Sequence, residues 1–159
     1  MRNVRSVRIA AALGIASLVI SAAIGCGGSS SKAILKVASN AKLKQSIVVD
    51  ANGNSLYMFD VDKNGKATCI DDHPAADCGK VWPPLIAKGS FRAGQESTRL
   101  SSGTTKRTDG QTQVTYNRHP LYYFRGYRGT PADKKSGDVN GQGFYGLCNV
   151  RSPRGTPIR

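Results

Sequence analysis

A short aromatic segment occurs twice in this chain, each time directly after a turn. Leu56-Tyr57-Met58-Phe59 follows Ile47-Val48-Val49 and Asp50-Ala51-Asn52-Gly53-Asn54; Leu121-Tyr122-Tyr123-Phe124 follows Val114-Thr115-Tyr116 and Asn117-Arg118-His119-Pro120. An offset of 65 residues lays one unit on the other, with Val49 on Val114 and Asn52 on Asn117. β-branched and aromatic residues on both sides of an Asn-Gly pair predict a hairpin, because Asn and Gly tolerate the positive φ of a tight connection. The His119-Pro120 dipeptide is read as part of the second turn. Along each aromatic strand, Tyr57 and Phe59 face one way and Leu56 and Met58 the other, so both faces need cover. An isolated hairpin is marginal in water, so the two units are expected to pack together. The predicted fold is all-β and mostly antiparallel, with two related hairpin-containing repeats in one domain. It spans residues 46–150, repeat 1 covering 46–86 and repeat 2 covering 111–150, with 151–159 as a C-terminal tail.

Composition agrees with a turn-rich β protein. Glycine at 18 and proline at 7 of 159 residues are too many for a helical bundle or coiled coil, and 39% apolar residues are too many for a disordered chain. The N-terminus is organised for export: Arg2, Arg5 and Arg8, then an uncharged stretch from Ile9 to Ile24, then Gly25-Cys26. This reads as a signal peptide over residues 1–25. Ala23-Ile24-Gly25-Cys26 resembles a lipobox, which makes Cys26 the lipid-bearing first residue of the mature protein; cleavage after Ser21-Ala22-Ala23 with release of a soluble protein is the alternative. Residues 26–45, opening Gly-Gly-Ser-Ser-Ser and carrying Lys32, Lys36, Lys42 and Lys44 with no acid, are expected to be a flexible tether, near anionic headgroups or simply solvated.

Several motifs in order resemble the predicted lipoproteins built from a secreted repeat of unknown function and marked by Tyr-x-aromatic-x-x-Asp. Tyr57, Phe59 and Asp62 fit that motif, and Cys69, Cys78 and Trp82-Pro83-Pro84 resemble its downstream elements. Lys106-Arg107-Thr108-Asp109-Gly110, then Tyr116 and Pro120 through Phe124, look like the second copy, with Tyr122 and Phe124 at the motif positions. That copy has Tyr127 where the motif has Asp. The resemblance implies a surface location and a repeat architecture, and no established activity.

Three chemistries are open to the remaining polar residues. Cys69 and Cys78, close in sequence in an exported chain, are read as a disulfide; Cys69, His73 and Cys78 could instead ligate a transition metal. Asp60, Asp62, Asn64 and Asp71 have the spacing of a calcium loop, with Gly65 at the bend. The competing reading is a hydrophilic turn, and no cofactor beyond weakly bound calcium is expected. Cys148, in an apolar run, is read as a buried thiol. No nucleophile elbow accompanies His73 or His119, so an enzyme is not expected. The formal charge of +13 would suit nucleic acid, but export directs it to envelope polyanions or lipids. The expected function is a lipid-anchored extracytoplasmic module, attached to the membrane through Cys26, that binds an envelope component or partner protein without catalysis and without nucleic acid. An envelope metal or redox protein is the alternative.

Overall fold

Period-two alternation and tight turns dominate the chain, and its computed structural model, which describes residues 35–70, 77–88 and 101–159, is correspondingly all-β. The elements are β1 (Leu35–Asn40), β2 (Gln45–Asp50), β3 (Tyr57–Phe59), a one-turn helix α1 (Cys78–Val81), β4 (Ser102–Lys106), β5 (Thr112–Tyr116), β6 (His119–Pro120) and β7 (Cys148–Val150). All strand pairings are antiparallel: β1 with β2, β3 with β7, and β4 with β5 and then β6.

Two hairpins open the two halves. In the first, Val37 opposes Val48 and Ala38 opposes Ile47; Asn40 closes the turn by accepting the Leu43 amide at 3.0 Å. In the second, Thr104 opposes Val114, and Arg107 N–H donates to the Gln111 carbonyl across a turn containing Gly110. The first hairpin corrects the expected tether, which does not extend to residue 45. Leu35 is buried and paired with Asp50, and Lys36 donates to the Ala51 carbonyl at 2.8 Å. Two apolar residues at alternate positions, Leu35 and Val37, suffice for a strand once a partner covers them, and Lys36 between them conceals that pattern.

The expected hairpin between residues 47–49 and 56–59 is only one bridge deep, Val49 opposite Ser55. Beyond it the chain departs, and Tyr57 pairs with Val150 on one side and Tyr122 on the other. Tyr122 in turn lies beside Pro84. The middle of the fold is thus a row of Pro84, Tyr122, Tyr57 and Val150. A strand with side chains buried on both faces gains more from two flanking strands than from its neighbour in sequence, since each edge otherwise leaves amides without partners. His119-Pro120 is likewise strand rather than turn; the turn is Asn117-Arg118, both at positive φ (46° and 64°).

Both faces of the row are covered. Tyr57, Trp82, Tyr122, Phe124, Cys148 and Val150 form one core with Ile47 and Val49; Leu56, Met58, Leu121, Val114 and Tyr116 form the other with Leu35 and Val48. Residues 151–159 are not a free tail. Arg151 bridges Pro157, Ile158 is buried with its amide on the Val150 carbonyl, and Gln142 Nε2 donates to the Ile158 carbonyl.

Candidate functional site

The motif residues are structural. Tyr57 and Tyr122, 65 positions apart, exchange both main-chain hydrogen bonds (2.9 and 3.0 Å). Their hydroxyls run in opposite directions to two carboxylates: Tyr122 Oη donates to Asp62 at 2.8 Å, and Tyr57 Oη donates to Asp133 at 2.5 Å. Asp133 therefore occupies the role that the sequence pattern sought at Tyr127. Asp62 is fully buried and also accepts from the Thr68 amide and hydroxyl; Asp133 also accepts from the Asn140 amide. Burial raises both carboxyls above the ordinary aspartate value, and these donors pull them back. Phe59, Trp82 and Phe124 pack edge-to-face or tilted around the same centre, with ring separations of 4.6–5.3 Å for the Trp82 contacts to Phe124 and Phe59.

The metal readings are corrected here. Cys69 and Cys78 form a disulfide, Cα atoms 5.4 Å apart, which removes both thiolates from any transition-metal set with His73. Asp60 instead pairs with Arg151 at 2.9 Å and Arg159 at 3.5 Å, Asp62 is spent on Tyr122 and Thr68, and Asn64 accepts from Arg118 at 2.9 Å. These three members of the calcium reading are thus engaged by protein donors, and the fourth, Asp71, lies outside the described residues. Among the described residues no group of three or more His, Cys, Asp or Glu is placed to hold a metal. Asp71, His73 and Cys26 lie outside the described residues, as does the leader. Cys148 is a free, buried thiol, pushed by burial up to about 12.

Arg107, quoted in the sequence only as part of a motif, proves to be a buried strut. It donates to Gln113 at 2.8 Å and, through both terminal nitrogens, to the Cys69 carbonyl at 3.3 Å, while Asp109 pairs its Nε at 2.8 Å. The disulfide is thereby fixed against β5, and with it the helix α1 that leads into Trp82.

Trp82 forms the floor of the one feature that remains unexplained by packing. A cleft of about 490 Å³ lies between two turns, walled by Phe59, Trp82, Tyr127, Phe144 and the exposed pair Tyr145 and Leu147. One turn is closed by reciprocal hydrogen bonds between Tyr127 and Thr130 around Arg128-Gly129. The other is closed by the Leu147 amide on the Phe144 carbonyl at 3.1 Å, around Tyr145-Gly146. Both central pairs have positive φ, 43° and 85° in the first and 51° and 69° in the second, as such two-residue loops require. Asn or Gly is the ordinary first residue there; Arg128 and Tyr145 are not. Tyr145, 73% exposed, is the one aromatic among the described residues at positive φ outside glycine.

Arg128 lies over the Tyr127 ring, 5.1 Å from its centroid, and no carboxylate of the described residues pairs with it. Asp77 on the opposite side is neutralised by Lys80 at 2.8 Å. The cleft thus offers apolar rings, the planar cation of Arg128 and, also in its lining, the exposed Asp77 carboxylate with Lys80 beside it. A second hollow, of about 690 Å³, is bordered by Asp50 and Asp133, but both carboxylates are already held, Asp50 by Asn52, Asn54 and Tyr123. In the sequence Arg128 stands out only as one of the cations Arg118, Arg125, Arg128, Lys134 and Lys135 near Tyr122, Tyr123 and Tyr127, and Tyr145 does not stand out as a site residue. The signal lay in two Xaa-Gly turns whose first residue is costly in that backbone.

Residues 103–150, running from within β4 to the last residue of β7, match the model of a family described as a secreted repeat of unknown function, the family that the motifs resemble. No curated protein and no solved structure matches the chain.

Proposed function

We propose that the protein is a non-enzymatic binding module displayed outside the cell membrane, held there by lipid on Cys26, with the cleft between the Tyr127–Thr130 and Phe144–Leu147 turns as its binding face. The observation that carries this reading is the placement of exposed apolar surface. The exposed large apolar side chains of the described residues are Val61, Tyr145 and Leu147; Tyr145 and Leu147 line the cleft, and Val61 follows Asp60, whose amide donates to the Leu147 carbonyl at 2.9 Å. Apolar residues gathered at the mouth of an aromatic cleft are characteristic of a contact site rather than of scattered surface. The family's description as secreted and the leader ending at Gly25-Cys26 support the location.

Two measurements test it. Cosedimentation of the unacylated mature chain with a delipidated envelope fraction is expected to retain the wild-type sequence and to release Tyr145→Gly; equal retention of both overturns the cleft as the binding face. Intact mass of the membrane-extracted protein is expected to show a chain starting at diacylated Cys26, and a chain retaining Met1 with an unmodified Cys26 overturns the anchor.

A further inference from the structure

Resting on that reading, we infer that the cleft takes an acidic glycan, a chain of pyranose rings bearing carboxylates. Three features of the site converge on this class. First, the cleft is an open trough and not an enclosed cavity. A small apolar ligand is usually buried over most of its surface, whereas a polymer of sugar rings can lay one C–H face on aromatic rings and leave its hydroxyls in water. Second, the rings form an edge-to-face chain that ends in an exposed face: Tyr145 stands out from its turn and meets Phe144 at 4.6 Å, Phe144 meets Trp82 at 5.7 Å and Tyr127 at 6.0 Å, with interplanar angles of 71°, 68° and 78°. The result is a continuous aromatic run from solvent to floor. Third, the charged group at the rim is a guanidinium, whose planar donors match a carboxylate bidentately while its face stays on Tyr127. The chain from Cys26 onward, without Arg2, Arg5 and Arg8, still carries a net charge of +10, which draws polyanions toward it.

Both rim residues sit in backbone that costs energy for anything but Gly or Asn. Tyr145 at φ 51° and Arg128 at φ 43° gain no packing in the core that would offset this: Tyr145 is mostly exposed and Arg128 is at the surface. Strain held at two exposed positions on opposite rims of one cleft is accounted for if those side chains are retained for contact with a ligand.

Trp82, the only tryptophan in the chain, reports on the cleft directly. Titration of the full protein with hexameric oligogalacturonate is expected to change Trp82 fluorescence saturably. The methyl-esterified oligomer, which keeps the rings and loses the charge, and the Arg128→Gly variant with the acidic oligomer are each expected to bind about tenfold more weakly or worse. Tyr145→Gly is expected to abolish the response. Both glycine variants are expected to melt at or above the wild-type temperature, which separates lost binding from lost folding. An equal response to inorganic polyphosphate, or an unchanged response in Tyr145→Gly, overturns the inference. If no glycan binds while Tyr145→Gly still loses envelope retention, the ligand class falls and the cleft stands; if retention also survives, both fall.

Discussion

Tyr57 and Tyr122 are each other's main-chain partner, and each sends its hydroxyl to a carboxylate that follows in its partner's half of the chain, Asp133 for Tyr57 and Asp62 for Tyr122. This pair ties the two halves together through main chain and through both hydroxyls, beside the β3–β7 pairing. Asp62 is fully buried and Asp133 partly so, and removing either tyrosine hydroxyl leaves its carboxylate short of a donor.

Tyr122→Phe is expected to destabilise the fold by about 1–3 kcal/mol, the cost of an orphaned buried acceptor. The double substitution with Asp62→Asn should cost less than the sum of the two single changes, whereas Tyr122→Phe with Asp133→Asn should be additive. Urea unfolding of the variants checks this; additivity within the Tyr122–Asp62 pair would show that the bond carries no coupling.

Gly141 is the position where the aromatic core leaves no room. A Cβ there would stand 2.8 Å from Phe124 Cγ and 2.9 Å from Trp82 Cη2, so Gly141→Ala should cost about 1–3 kcal/mol by overpacking. It should also shift Trp82 emission, because the indole must move. A variant with wild-type melting temperature and spectrum would contradict the packing described.

Alkaline pH should unfold the protein. Tyr57, Tyr116, Tyr122 and Tyr123 are held above the ordinary phenol value of 10.0, first by burial, and Cys148 rises from 9.0 to about 12 for the same reason. Below pH 9 these groups are neutral in both states and their contribution is fully present. As pH rises past 9 and then 10, the unfolded chain releases protons that the native one retains, so stability falls. The melting temperature is expected to drop across that window, with phenolate absorption from these four rings appearing only as the fold is lost. Titration of all four in the folded protein would refute it.

Cys69→Ser with Cys78→Ser should cost about 2–3 kcal/mol by loop-closure entropy for a short ring, measured as a lowered urea midpoint. It should also weaken oligogalacturonate binding, since Cys78 lines the cleft. Unchanged affinity would mean that α1 is held without the disulfide.

What could be read from the chain divides along the range of the interactions. The strands around Ile47–Val49, Leu56–Phe59 and Val114–Tyr116, the Asn52-Gly53 turn and the two-faced burial of Leu56 through Phe59 are local consequences of alternation and of positive φ and were legible; β1, masked by its lysine, and His119-Pro120, read as turn, were not. Partner choice was not: β3 leaves its neighbour for β7 and Tyr122 because of packing between distant segments. Asp133 escaped notice for the same reason. It stands nine residues past Phe124 where Asp62 stands three past Phe59, so no fixed spacing could equate them, although both reach a tyrosine of the other half. Arg128 and Tyr145 are functional candidates only once their backbone and exposure are known.

The central row of Pro84, Tyr122, Tyr57 and Val150 has a property that matters for life on a crowded surface. At one end stands a proline, which has no amide to donate, and beyond Val150 the amide of Ile158 closes the other. Exposed strand borders recruit foreign strands and seed aggregation. With both borders closed by its own chain, the central row offers no free edge on which a second copy could add a strand.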